Sequence, residues 1–164
     1  MNSENLMNWQ EVCSNPNLKN LPFKIELNEY GQIVMSPMKV LHSLLQGEIE
    51  RLLLRYATGG KVFPECAIFT PKGTKVADVV WASDTRLQII KHEAECSIAP
   101  EICIEVLSDS NTEREMMAKK KLYFGQGAEE FWLCDQQGAM RFFNADTELA
   151  HSQMLPDFPV RVDV

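Results

Sequence analysis

The stretch from Pro100 to Phe124, PEICIEVLSDSNTEREMMAKKKLYF, constrains the chain most: an apolar run that carries one acid, then a polar turn, then a segment with three consecutive lysines. In strand geometry Ile102, Ile104 and Val106 share one face and Cys103, Glu105 and Leu107 the other, so Glu105 has apolar neighbours on every side. Burying an unpaired carboxylate costs several kcal/mol, so Glu105 is expected to meet a cation or donors, or to carry a raised pKa. Asn111 or Thr112 can cap the following helix, which brings Lys119, Lys120 and Lys121 two turns further on.

A second acid is embedded in the same way. In KVADVVWAS, strand alternation gives Val76, Asp78 and Val80 a common face. The chain between Asp78 and Glu105 is long enough to cross over and return on a neighbouring strand. Two carboxylates on one side of a sheet repel each other unless a cation lies between them, and with a nearby lysine they describe a site for Mg²⁺ or Mn²⁺. Such an ion prefers oxygen ligands, keeps several waters and uses one or two carboxylates, which suits this sparse supply. Other readings of these residues are plain: Glu105 and Lys119 as a structural ion pair, Asp78 as a strand-end acceptor of backbone N–H groups, Glu115 and Lys119 as an exposed i,i+4 pair.

The remaining pattern alternates strands with helices. Ser3 to Val12 has helical apolar spacing and the turn-rich segment from Asn15 to Pro22 ends it. Phe23–Leu27 and Gln32–Met35 flank the turn at Asn28–Gly31 as a hairpin. Ser36-Pro37 then opens a long helix whose core stripe is expected to be Val40, Leu41, Leu44, Leu45, Ile49, Leu52, Leu53 and Tyr56, with Gly59-Gly60 closing it. Strands follow at Val62–Phe69 and Lys75–Trp81, a weak helix or loop at Asp84–Ala94, the strand Pro100–Ser108, a helix Asn111–Gly125, and strands at Glu130–Cys134, Ala139–Phe143 and Val160–Val162. The expected fold class is α/β (α+β), one domain over residues 1–164 with a mixed central sheet flanked by helices.

Composition excludes several alternatives. At 164 residues and 45% apolar the chain can bury one sizeable core, and its net charge of −7 argues against broad, nonspecific coating of a polyanion. Five cysteines without a CxxC pair read as buried thiols in a reducing, cytoplasmic setting. No apolar run approaches the ~18 residues of a membrane span, so no membrane partner is expected. No P-loop, GxSxG elbow, dinucleotide fingerprint or zinc pattern is present. His42 suits packing near the start of the long helix, and His92 and His151 lack partners at metal spacing.

The acid-bearing strand, the strand reading EVLS, the polar turn, and the lysine-bearing helix ending in LYxxxGxxEFWLxD together resemble the Uma family of restriction-endonuclease-like proteins in the PD-(D/E)XK superfamily. The segment FKIELNEYGQIVMSP, followed by His42, is similar to that family's N-terminal half. The resemblance implies a restriction-endonuclease-like core and a metal-dependent endonuclease acting on double-stranded DNA as a homodimer. It implies Asp78 and Glu105 as ligands of Mg²⁺ (or Mn²⁺), Lys119 as the site lysine with Lys120 as its rival, and Glu26 as a further ligand or water-positioning group. Two positions depart from the pattern. Ala77 stands where the family usually has proline before the acid, and Leu107 occupies the lysine position of the superfamily's ExK motif. The alternative is a catalytically silent protein of the same fold that binds nucleic acid or a protein partner.

Overall fold

The computed structural model describes residues 6–164. The expected N-terminal helix is α1 (Trp9–Ser14), shorter than the apolar spacing suggested, because Asn8 caps it by accepting the Glu11 N–H at 2.9 Å. The part of that expectation covering residues 3–5 lies outside the described residues. The hairpin forms as expected from β1 (Phe23–Leu27) and β2 (Ile33–Pro37), which pair only with each other.

A six-stranded sheet makes the body of the fold. Its strands are β3 (Lys61–Ile68), β4 (Lys75–Ala82), β5 (Ile102–Val106), β6 (Glu130–Cys134), β7 (Met140–Phe143) and β8 (Glu148–Leu149), in that spatial order. Only β5 and β6 run parallel, and the crossover between them carries α4 (Glu113–Gly125); the other neighbours are antiparallel. The long α2 (Val40–Tyr56) and the short α3 (Asp84–Ile90) complete the set. The fold is therefore a mixed α/β sheet flanked by helices.

Two cores lie on the two faces of the sheet. On one, Val80, Cys103, Phe131 and Leu133 pack with Met116 and Tyr123 of α4. On the other, Val79, Ile102, Ile104, Val106 and Trp132 pack with Leu45, Ile49, Leu52 and Leu53 of α2. Glu105 and Leu133, adjacent in the β5–β6 register, are both buried, so the central strands have no solvent face.

Several expectations are corrected. The α2 stripe is shorter than its apolar spacing: Val40, Leu41 and Leu44 are exposed, Val40 at 78%, because the sheet supplies partners only from Leu45 onward. Val160–Val162 forms no strand; an isolated bridge between Ala139 and Arg161 ties the tail instead, and β8 was not anticipated. Cys13 is exposed, whereas Cys66, Cys96, Cys103 and Cys134 are buried free thiols.

A further correction concerns β4. Strict alternation fails at Asp78, since Ala77 and Val80 both enter the core beneath α4. The cause lies in both neighbouring strands. On β3 the register runs from Pro64–Val79 to Cys66–Ala77 across Glu65, a non-glycine residue with φ of 53°, and on β5 the ladder ends at the Val79–Ile104 pair.

Candidate active site

The split between β4 and β5 is where the acids meet. Continuing the register past Val79–Ile104 sets Asp78 opposite Glu105, but no ladder forms there. The Val106 N–H donates to Asp78 Oδ2 at 2.8 Å, so a side-chain carboxylate replaces a backbone partner and holds the strands apart at this level. Asp78 lies within β4 and does not end it, yet it accepts a backbone N–H, from the last residue of β5, at the level of Glu105.

The hairpin closes over the split. Leu27 N–H donates to Thr74 O at 2.9 Å, and the turn at Gly73 (φ +92°) lies so close that a Cβ would stand 2.2 Å from Leu27 O. Only glycine lets β1 seat there. Glu26 Oε2 then accepts the Val76 N–H at 2.7 Å, and Lys24, on the same strand, reaches across with its Nζ 3.1 Å from both Asp78 Oδ1 and Glu105 Oε2. One ammonium thus joins the two acids.

From the opposite side α4 supplies the rest. Thr112 opens the helix with a capping box: its hydroxyl accepts the Glu115 N–H at 3.1 Å, and Glu115 Oε2 accepts the Thr112 N–H at 3.4 Å. Glu115 is therefore occupied in the cap rather than paired with Lys119. Met116, Lys119 and Tyr123 fall at helical spacing on the inward stripe. Lys119 Nζ donates to Glu26 Oε2 at 2.8 Å and Glu105 Oε1 at 3.5 Å, and Tyr123 OH donates to Glu105 Oε1 at 2.7 Å. Lys120, one position on, lies 4.6 Å from the centre of the Phe143 ring.

The structure thus brings together Asp78, Glu105, Glu26 and Lys119, the four residues singled out from sequence. It adds Lys24 and Tyr123, and it sets His42, read from sequence as a packing residue, beside Asp78. His42 Nε2 stands 3.3 Å from Asp78 Oδ2, and its buried Nδ1 has no partner among the described residues. Lys24 escaped sequence reasoning because alternation in FKIEL reads it as the solvent side of an edge strand. Its one available signal was its placement two residues before Glu26, which puts both on one face of β1.

Burial and charge pull the two central acids in opposite directions. For Asp78 burial opposes ionisation, but the Lys24 ammonium, His42 and the Val106 N–H outweigh it and hold the carboxyl well below its ordinary value. Burial raises Glu105 above the usual carboxylate range, with Lys119 and Lys24 drawing it only partly back. Glu26 is lowered, since Lys119 and Lys24 overcome the burial that opposes its charge. Lys24 is likewise buried against its charge, yet Glu105, Asp78 and Glu26 hold it protonated well above the ordinary lysine value.

These directions fix the sign of a pH effect. Asp78 has a folded pKa below its unfolded value of about 3.9, so it contributes stability above that pH, lost as pH falls through the folded value. Glu105 acts oppositely, costing stability as pH rises from about 4.3 through its raised folded value. Asp78→Asn is therefore expected to flatten the fall in stability below about pH 4, and Glu105→Gln to flatten the loss above that range. Urea midpoints between pH 2 and 7 check both; an unchanged slope in Asp78→Asn would refute the first.

Oxygen donors dominate the site, as a hard divalent ion requires, although among the described residues no three His, Cys, Asp or Glu side chains form a metal-holding group by themselves. The two carboxylates already share a cation, Lys24, and His42 turns its Nε2 toward Asp78. The donor set fits an ion that takes two carboxylates and completes its shell with water. A small recess lined by Lys24, Glu26, Ser36, His42, Asp78 and Lys119 opens over Asp78 and Glu26, with Glu105 buried behind it. Next to it a groove of about 460 Å³ runs between the hairpin and α4.

Comparison with known proteins agrees with this architecture. The family model described as "Putative restriction endonuclease", Uma2, matches residues 9–156, and the chain belongs to that family. Among solved structures, a "putative nuclease belonging to DUF820" from Anabaena variabilis ATCC 29413 superposes with a TM-score of 0.66 at 23% identity, covering 87% of this chain and 82% of that one. At that identity the likeness establishes a shared fold. No curated protein matches. Family membership makes nuclease chemistry on a nucleic acid the family-level assignment. Among the described residues no helix is long and apolar enough to cross a membrane.

Proposed function

We propose that this protein is a metal-dependent endonuclease that hydrolyses phosphodiester bonds in DNA, with double-stranded DNA as substrate. The observation that carries this reading is the convergence of Asp78, Glu105, Glu26 and Lys119 from four separate elements into one ion-pair cluster at the split in the sheet, with Asp78, Glu26 and Lys119 lining a recess and Glu105 buried behind it. A structural ion pair needs two groups; here three carboxylates and two ammonium groups are drawn together beneath an opening, and buried charge on that scale is costly unless it serves a site.

Asp78 and Glu105 would hold Mg²⁺ or Mn²⁺. When bound, the ion lowers the pKa of a coordinated water and offsets charge on the phosphate and the leaving oxygen. Asp78, held below the usual carboxylate range, stays anionic throughout the neutral range. Tyr123 fixes the Glu105 carboxylate by its 2.7 Å bond. Lys119, bridging Glu26 and Glu105, orients the attacking water and steadies negative charge on the phosphate; an ammonium on a flexible stem can do from a helix what Leu107 cannot do from the strand. Glu26 positions Lys119 and is a candidate water-positioning group. Two copies would cut the two strands, in keeping with a homodimer, and the buried free thiols suit the cytoplasm.

A second reading has one observation behind it: Lys24 already bridges Asp78 and Glu105, and a site locked that way would be silent. Supercoiled plasmid separates the two. Nicking with Mg²⁺ or Mn²⁺ that is abolished by chelator is the expected result. Retention of supercoiled DNA under every metal condition, with the protein folded, would leave only the silent reading.

A further inference from the structure

Resting on the metal-site reading above, we propose that Lys24 is the site's own competing cation: it holds Asp78 and Glu105 in the metal-free protein, and a divalent ion binds by displacing it. Lys24 thereby sets the metal affinity of the site.

Three observations lead there. Lys24 Nζ contacts one oxygen of each acid, Asp78 Oδ1 and Glu105 Oε2, both at 3.1 Å, and so takes from each acid an oxygen that an ion bridging the pair would use. The second ammonium, Lys119, contacts Glu26 Oε2 and the other oxygen of Glu105, Oε1, and makes no bond to Asp78. The two lysines are therefore not equivalent: Lys119 flanks the acid pair, whereas Lys24 fills it. Finally, Lys24 comes from β1, which pairs only with β2, and the recess over the acids is bounded by Ser36, Pro37 and Met38 at the hairpin's end. Lys24 itself lines that recess, so its ammonium borders the opening toward which it would withdraw.

Charge balance points the same way. With all three carboxylates ionised, the two ammonium groups leave one negative charge uncompensated. A divalent ion added with Lys24 in place would leave the cluster positive, and two cations would compete for the same oxygens. With Lys24 withdrawn, the ion and Lys119 neutralise the three acids more closely. Like charges at contact distance in a poorly solvated site repel strongly, so the first state is disfavoured.

The sign of the Lys24 substitution distinguishes this from a structural role. A lysine that merely built the site would, on removal, weaken metal binding. A competitor lowers apparent affinity by the fraction of molecules whose site is free, so removing it is expected to tighten Mn²⁺ binding about tenfold or more. Calorimetric titration of MnCl₂ into wild type, Lys24→Met and Lys24→Gln reads this directly. Tighter binding in either folded variant supports the proposal. Equal or weaker binding in both, with wild type binding, overturns it and leaves the metal site standing. Absence of binding in all three removes the metal reading and the proposal with it. Wild type alone supplies a second measurement: acylation of Lys24 by an amine-reactive ester, followed by peptide mass spectrometry, should rise severalfold on adding saturating Mg²⁺. Unchanged Lys24 labelling while Mg²⁺ binds by calorimetry would also overturn displacement.

Discussion

Glu105→Gln is expected to lose nicking activity by roughly 10²–10⁴-fold, the range that a single charge-stabilising or proton-handling group contributes. The substitution is chosen because glutamine is nearly isosteric with glutamate. Its amide oxygen can still accept from Tyr123, and Lys24 keeps its 3.1 Å contact with Asp78, so the scaffold around the site persists. What disappears is one negative charge at the centre of the cluster. Burial already disfavours that charge in the native protein, so its neutral replacement is well tolerated by the fold. Function and stability should therefore part: a large fall in plasmid nicking with little loss of thermal stability.

Two companions sharpen the assignment. Lys119→Ala is expected to match the loss, since no other ammonium contacts both Glu26 and Glu105. Lys120→Ala is expected to nick as wild type does, because Lys120 lies over the Phe143 ring and takes no part in the cluster. Wild-type nicking by Glu105→Gln and Lys119→Ala would discard the assignment of the activity to this cluster. Equal losses at Lys119 and Lys120 would mean that the helix is being perturbed as a whole.

Much of this arrangement is legible in the sequence because burial is periodic. An acid in ICIEV has no solvent face to choose, so Glu105 announces itself. Likewise the helix register that buries Met116 and Tyr123 selects Lys119 from three adjacent lysines, although only the folded helix decides among them. Asp78 was legible as an acid among valines, but its side could not be read from alternation, because Glu65 and the end of the β4–β5 ladder break the pleat at that point. Lys24 was illegible for a different reason. A lysine in a two-stranded hairpin is ordinarily solvated, and its burial follows from docking of that hairpin at Gly73 and Thr74, a tertiary contact that leaves no local periodic mark. The exposed start of α2 is the converse case: its apolar spacing promises burial, and the sheet is too short to provide it.

Glu130→Ala is expected to destabilise the fold by about 3–5 kcal/mol without touching the site, the cost typical of stripping one partner from a buried charged network. Glu130 begins β6 and is buried at 2% exposure, far from any lysine of the cluster in its bonding. Its carboxylate is fully engaged by four donors. Oε2 accepts from Trp132 Nε1 and from Ser152 Oγ, both at 2.7 Å, and Oε1 accepts the backbone N–H groups of Gln153 and Met154 at 2.8 and 2.9 Å. Ser152 Oγ in turn accepts the Leu155 N–H at 2.9 Å. One side chain thus anchors the segment that carries Met154, Leu155 and Phe158 onto the α2 face, where Phe158 packs 4.6 Å from Trp132 between ring centres. Alanine would leave two backbone N–H groups, a buried indole N–H and a buried hydroxyl without their acceptor, and would free the tail to peel from the Trp132 cluster. Glu130→Gln keeps an acceptor oxygen but introduces an amide nitrogen facing donors, so it should fall between the two. Urea denaturation monitored by tryptophan fluorescence measures the series; a Glu130→Ala midpoint equal to wild type would mean that the tail is held by apolar contact alone.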